Sequence, residues 1–380
     1  MKSKHKLFTA FMLAGVCFNQ ANAQTSSSDN EPGIIQTSFP SLLVVPEART
    51  GAMGEAGAAT TPDANSGIYN AAKFAFADAP TAFSLSYSPW LRNLSSGMSI
   101  SYLSAYHHIN DQYTIAASLR YLSIGNIDLT DDGGAITGNY RPNEFAFDAT
   151  IAKKYGNNFS LAATARYIRA SALNDAGATD SRSPNAFAID VAAYLKTNTA
   201  LFGAAGQTSY GLNISNIGTK VRYTENGGRY FLPANMRLGA ASAFTLNEKD
   251  KLTIALDLNK LLVPSPSGSS NGNGVLVPSD QSVPSAIFSS FSDAPGGFSE
   301  ELKEVAVNLG AEYMYNNQLA LRAGYVYENP SKGIRRYLTL GAGYTYQDFT
   351  FDFAYLAASQ QASPLANTLR FTLTYHLSKN

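Results

Sequence analysis

Beyond residue 80, apolar and polar residues alternate with a period of two over most of the chain. From Tyr113 the odd positions read Tyr113, Ile115, Ala117, Leu119 and Tyr121, and the even ones Thr114, Ala116, Ser118 and Arg120. The pattern returns at Phe145, Phe147, Ala149 and Ile151, then at Phe159, Leu161, Ala163, Ala165 and Tyr167, and again at Leu252, Ile254, Leu256 and Leu258. It closes the chain with Phe349, Phe351, Phe353 and Tyr355, then Leu369, Phe371, Leu373, Tyr375 and Leu377. Successive strand side chains point to opposite faces, so each stretch makes one apolar and one polar face. Fourteen strands are predicted, at 81–89, 96–107, 112–123, 144–155, 158–171, 185–196, 208–216, 235–245, 252–262, 304–315, 318–328, 336–346, 349–355 and 367–377.

A soluble β-sandwich alternates in the same way, so strand length and connection length decide. Most predicted strands run about ten residues, the span of a tilted strand through a bilayer, and many apolar faces begin or end in Tyr or Phe, as membrane interfaces favour. Connections after odd-numbered strands run from 6 to 41 residues, those after even-numbered strands from 2 to 11, the longest of the second set being 197–207. A sandwich gives no reason for that segregation. An outer-membrane barrel does, with long outer loops, short periplasmic turns and both termini periplasmic. The fold expected is all-β: a 14-stranded antiparallel transmembrane β-barrel over 81–380, preceded by a hatch or plug over 24–80.

Composition sharpens this. With 45% hydrophobic and 15% charged residues the 380-residue chain is not disordered. Lys2, Lys4 and Lys6, the apolar run Leu7–Phe18 and Ala21-Asn22-Ala23 read as a signal peptide over 1–23, with the mature chain starting at Gln24. Its removal takes three lysines from 28 positive charges against 28 negative ones, leaving net −3, which gives nucleic-acid binding no electrostatic basis. The single cysteine, Cys17, lies in that leader, so disulfides, zinc-thiolate sites and thiol nucleophiles are excluded from the mature chain. No later run of 18 apolar residues marks a transmembrane helix.

Ten charged residues fall on the inward faces: Arg120, Asp148, Arg166, Asp190, Arg237, Asp257, Glu312, Arg322, Asp352 and Arg370, five of each sign. That balance predicts internal pairing and a closed lumen, whereas an ion-selective pore would carry a surplus of one sign. No enzyme, metal or cofactor is expected. The mature histidines are His107, His108 and His376; the first two point to opposite faces of a strand, and no Gly-x-Ser-x-Gly motif accompanies any of them.

The stretch Ala48–Ala59, rich in small residues, and the turn chemistry of Thr61-Pro62-Asp63-Ala64-Asn65 are read as a plug packed into the periplasmic mouth. Gly51, Gly54 and Gly57 lack the preceding strand and the Lys-Ser/Thr ending of a phosphate loop. Here the chain resembles the FadL-like outer-membrane barrels, on Ala48-Arg49, Met53-Gly54, Ala56-Gly57-Ala58-Ala59 and Asn70-Ala71-Ala72, where Ala71 replaces the family's proline. The hatch motif is thus Arg49, Gly51, Met53, Gly54, Gly57 and Asn70. The likeness narrows to the PorV family of the type IX secretion system of Bacteroidetes, on Thr61-Pro62-Asp63-Ala64-Asn65-Ser66, Ser86-Tyr87-Ser88-Pro89-Trp90-Leu91-Arg92-Asn93-Leu94, Pro142–Asp148, Gly211–Lys220 and Asp257–Pro264.

That resemblance implies a shuttle and not a conduit. It would bind the C-terminal signal domain of cargo leaving the translocon, and deliver it to the surface sortase PorU, which attaches cargo to lipopolysaccharide. FadL-like barrels as a group imply the alternative, transport of hydrophobic small molecules through a hatch and a lateral opening. Transport predicts an apolar pocket under the outer loops; a shuttle predicts a closed lumen and apolar residues exposed on those loops. The longest loop, 263–303, sets Ile287, Phe288, Phe291 and Phe298 among Ser, Gly and Pro, and with 217–234 and 124–143 it is the expected partner surface. Trp90 and Arg92, at the first outer turn, are the remaining candidates, Trp90 doubling as an interface anchor.

Overall fold

The structure, a computed structural model, describes residues 35–90, 97–131, 133–171, 181–201, 204–265, 279–333, 335–358 and 368–377. The expected signal peptide, the mature amino terminus and Arg92 lie outside the described residues.

The described residues form sixteen strands: β1 (Thr81–Pro89), β2 (Ser99–His108), β3 (Tyr113–Ser123), β4 (Ile127–Thr130), β5 (Ile136–Tyr140), β6 (Asn143–Tyr155), β7 (Phe159–Ala170), β8 (Asn185–Leu201), β9 (Ala204–Gly218), β10 (Asn235–Thr245), β11 (Lys251–Leu261), β12 (Ala306–Tyr315), β13 (Leu319–Tyr327), β14 (Arg336–Tyr346), β15 (Phe349–Ala358) and β16 (Thr368–Leu377). All but β4 and β5 make one closed antiparallel barrel of fourteen strands. Strand β1 closes the ring, with Leu85 opposite Leu103 of β2 on one side and Leu373 of β16 on the other.

The alternation works in reverse of a soluble protein. Leu85 is 55% exposed while the adjacent Ser84 and Ser86 are buried, and Leu103, Leu119 and Leu256 are likewise exposed beside buried Ser104, Arg120 and Asp257. Apolar side chains thus form the outer surface, and hydroxyls and charges the core, the arrangement of a lipid-embedded barrel. Exposed aromatics collect near both strand ends: Tyr155, Tyr315, Tyr346 and Phe349 at one, Tyr121, Phe187, Tyr325 and Tyr327 at the other. Arginine in place of the outward Ala163 should cost about 2 to 4 kcal/mol of stability near the bilayer midplane, and in place of the inward Ser118 clearly less. Denaturant unfolding in lipid vesicles checks this, and equal costs at the two sites would reverse the assignment of faces.

Connections segregate as expected, from two residues (202–203) to five (246–250) at one end and from eight (328–335) to forty-four (262–305) at the other. The exception at 197–207 disappears, because β8 and β9 pair out to Leu201 and Ala204. Thr197, Asn198 and Ala200 are all exposed, since this hairpin extends past the apolar band, where both faces are wet and alternation gives no signal. The hairpin β4–β5 was also not expected. It stands in a long connection, turned by Asp131, whose side chain accepts from the Gly133 and Ala135 amides.

The segment before β1 runs through the lumen. Ile35 packs with Phe231, Leu262 and Ala286 at the long-loop end. Ala48 and Gly54 bond to Thr372 and Thr339 on the wall, and the turn Ala71–Phe76 packs on β6, β7 and β8 before the chain enters β1 at the short-turn end. The expected plug in one mouth is therefore corrected to a filling that reaches from one end of the lumen to the other.

Candidate functional site

The hatch residues fasten the plug. Arg49 donates to both Glu312 oxygens (3.1 and 3.0 Å) and to Asp63 (2.8 Å), tying β12 to a plug turn. Gly54 has φ +62° and is pressed against the backbones of Leu309 and Tyr325, so a side chain there would meet both strand β12 and strand β13. Opposite it, Gly310 and Gly324 leave the wall bare, which is what lets the plug backbone lie on the sheet. Met53 is fully buried with Ala56, Ala59, Ala241 and Ala255. Gly51 abuts the Arg370 side chain, and Gly57 and Ala58 donate their amides to Asp257 at 2.8 and 2.9 Å. Asn70 donates to Ala58 O and Ala193 O, both at 2.9 Å, and accepts from Ala72 N at 3.0 Å. Its cap forms without the proline of the family pattern.

The inward charges pair in three groups. Arg166 bridges Asp148 (2.7 Å) and Asp190 (3.0 Å); Arg322 bridges Glu312 and Asp352 (2.6 Å each); Arg237 meets Asp257 at 3.4 Å. Arg120 and Arg370 depart from the expected wall-to-wall pairing, because the plug supplies their partners. Arg120 donates to Ser41 O and Val44 O (2.7 and 2.8 Å), and Arg370 meets Glu55 at 3.0 Å. Burying an ion costs several kcal/mol, which close partners offset. Arg322→Ala should therefore destabilise by about 3 to 5 kcal/mol, leaving the buried Asp352 without its cation and Glu312 with Arg49 alone, measured by denaturant unfolding in detergent. A polar cavity of about 30 Å³ remains between Leu42–Val45 and Arg120, Asp148, Arg166 and Asp190. That is room for about one water.

The plug's own ions, Glu47, Glu55, Asp63 and Lys73, were not singled out from the sequence. Lys73 is fully buried and donates to Gly57 O (2.8 Å) and Thr60 Oγ1 (3.0 Å). Charged residues within a small-residue run, outside any alternating stretch, were the available signal.

Outside the lumen, the 262–305 connection carries two short helices, α1 (Val283–Ser289) and α2 (Phe298–Lys303). Ile287, one of the candidate contacts, packs with Val283 onto Phe231, Leu262 and Ala286. Phe288 (78%), Phe298 (77%) and Leu302 (58%) point away and are exposed, as is Phe291. Beneath α2 a buried cluster clamps it to the rim: Lys260 meets Glu301 and Glu304 at 2.8 Å each, while Lys332 meets Glu300 and, at 3.3 Å, Glu304. Burial alone would raise the Glu304 carboxyl, but Lys260, Ser265 and Lys332 outweigh it and hold it below its ordinary value. Neither Leu302 nor this clamp was expected from the sequence. Trp90 directly follows β1, half-buried, with its ring nitrogen unpartnered among the described residues. His107 and His108 bond Thr81 and Thr114, each at 2.7 Å, and His376 lies 3.4 Å from Thr350.

A closed barrel of fourteen strands, apolar outside and filled by its own leading segment, is an outer-membrane β-barrel. In fold it is similar to the toluene transporter TodX of Pseudomonas putida, at 14% identity over 88% of this chain and 99% of that one, with a TM-score of 0.50. The toluene transporter TbuX of Ralstonia pickettii shares 13% identity over 91% of this chain and 98% of its own, with a TM-score of 0.45. Identity at this level speaks for the fold alone. A comparison with curated proteins gave no match. The family model of the type IX secretion system protein PorV matches residues 26–268, and the chain belongs to that family.

Proposed function

We propose that this barrel is a cargo shuttle of the type IX secretion system. Its long-loop end, taken as the outer one, binds the C-terminal signal domain of secreted proteins leaving the translocon and presents them to the sortase PorU for attachment to lipopolysaccharide. The observation that carries the reading is the exposure of Phe298 and Leu302 on the clamped helix α2 and of Phe288 on α1, at the long-loop end of a filled lumen. Aromatic side chains on a rigid support are the usual anchors of protein interfaces, since little entropy is lost when they are covered. Phe291, Trp90 and Arg92 complete the proposed surface, and Ile287 supports it from below. No step of chemistry is assigned to this chain. Membership in the PorV family supports the same reading. Affinity purification from the native outer membrane tests it: translocon, sortase and uncleaved cargo should come along, and their absence would remove the proposal.

A second reading, passage of a hydrophobic small molecule, draws on a groove of about 610 Å³ at the long-loop end, lined by Ile35, Pro40, Tyr223 and Tyr230 among others. Among the described residues each barrel strand is hydrogen-bonded to both neighbours, which speaks against a lateral exit. Loss of hydrocarbon uptake on deletion of the chain, with cargo export unchanged, would favour this reading over the shuttle.

A further inference from the structure

The plug meets the long loops at two posts, and both are backbone anomalies. Among the described residues, the non-glycine residues with positive φ are Phe39, Glu55, Asn216, Asn316, Asn317 and Gln347. The last three sit in short turns and Asn216 in the β8–β9 bulge, and asparagine takes this conformation readily. Phe39 (φ 48°) and Glu55 (φ 61°) have no such excuse in their chemistry, and a residue of that kind stays left-handed only where its surroundings enforce it.

At the first post, Ser38 donates its amide (2.8 Å) and hydroxyl (2.9 Å) to Phe231 O, and the Phe39 amide donates to the Tyr223 hydroxyl at 3.2 Å. The Phe39 ring is buried with Ile168, Ala186, Val221 and Leu232. Every one of these loop partners belongs to the 219–234 connection. At the second post, Glu55 places one carboxylate oxygen 3.0 Å from Arg370 of β16 and the other 3.6 Å from Arg335 of the 328–335 connection. Arg335 also meets Glu328, at 3.4 Å, and Lys332 of the same connection reaches Glu300 and Glu304 beneath α2. A path of ion pairs and short loop thus runs from the plug to the helix that displays Phe298 and Leu302.

We infer that the plug is an internal brace for the long loops: Phe39 sets the 219–234 connection, and Glu55, acting through Arg335, sets 328–335 and with it α2. Both are positioning residues. Strain held at these two posts and not elsewhere among the described plug residues is accounted for by the job of reaching out of the lumen to hold loops that no strand ladder fixes. The inference stands whatever the outer surface binds.

Hydrogen exchange on the full-length protein in lipid nanodiscs tests it. Phe39→Ala should speed exchange at 219–234 about tenfold and leave 298–303 and 328–335 at wild-type rates, while Arg335→Gln should do the reverse, as loss of one buried anchor or one charged pair would predict. Strand amides should not change in either variant. Tyr223→Phe removes only the hydroxyl that accepts from Phe39, and should give a smaller change confined to 219–234 even if Phe39→Ala does not insert. Wild-type exchange at the loops in Arg335→Gln and Tyr223→Phe would overturn the brace, and so would an equal rise across both connections and the strands, which marks general destabilisation.

Discussion

Replacing Phe288, Phe298 and Leu302 together by aspartate should leave the barrel folded and stop cargo delivery. All three side chains are exposed, so little packing is lost, and surface substitutions of this kind stay within about 0.5 kcal/mol each. The Lys260–Glu301–Glu304–Lys332 clamp lies on the other side of α2 and keeps the helix in place. At an interface the same residues are worth about 2 kcal/mol or more apiece when they act as anchors, so affinity for cargo should fall by more than about a hundredfold. Heat-modifiable mobility on gels reports the fold, and cell fractionation reports cargo, which should accumulate unprocessed in the envelope. Normal processing by a correctly inserted variant would take the patch out of the mechanism.

Excising residues 36–76 should convert a silent barrel into a conducting pore. In the intact protein the lumen holds a segment bonded to the wall through Arg49, Gly54, Gly57, Ala58 and Asn70, and the polar cavity beside Leu42–Val45 is about 30 Å³. That filling is expected to block steady ion flow. Without the plug, wall residues such as Arg120, Asp257 and Arg370 lose partners but gain water, so the polar lining of a fourteen-strand barrel can stand open. Planar-bilayer recordings should show stable stepwise conductance for the excised protein and little for the intact one. Large steady channels in the intact protein would contradict the filled lumen, and a folded but silent excision variant would show that something other than the plug closes it.

The cause of each expected outcome sets how early it could be known. Period-two alternation is a local property, and it marked β1, β10 and β14 to the residue, because membrane contact on one face and a wet lumen on the other act on every position. Where that contrast fades the reading failed: at the far ends of β8 and β9, which leave the bilayer, and at β4–β5, which never enters it. Phe288, Phe291 and Phe298 were legible as aromatics out of place in a polar loop, but Ile287 beside them folds inward, since packing against Phe231 and Leu262 is a long-range event that loop composition does not encode.

What the sequence alone determined is the class of object: a barrel with lipid and lumen faces, its strand number and the segregation of long connections from short ones, all of which follow from residue type at fixed spacing. The tertiary structure alone decided what fills the lumen and how it is held. Equal numbers of inward charges suggested pairs, yet only the fold showed that Arg120 serves plug residues Ser41 and Val44, 79 and 76 positions away, and Arg370 serves Glu55, 315 positions away. Such partnerships depend on the path of a segment with no periodicity of its own. The same holds for Gly310 and Gly324, which read as weak strand residues until the backbone of Met53 and Gly54 is laid against them. Close approach of two backbones is a property of the folded pair, and no single stretch of sequence carries it.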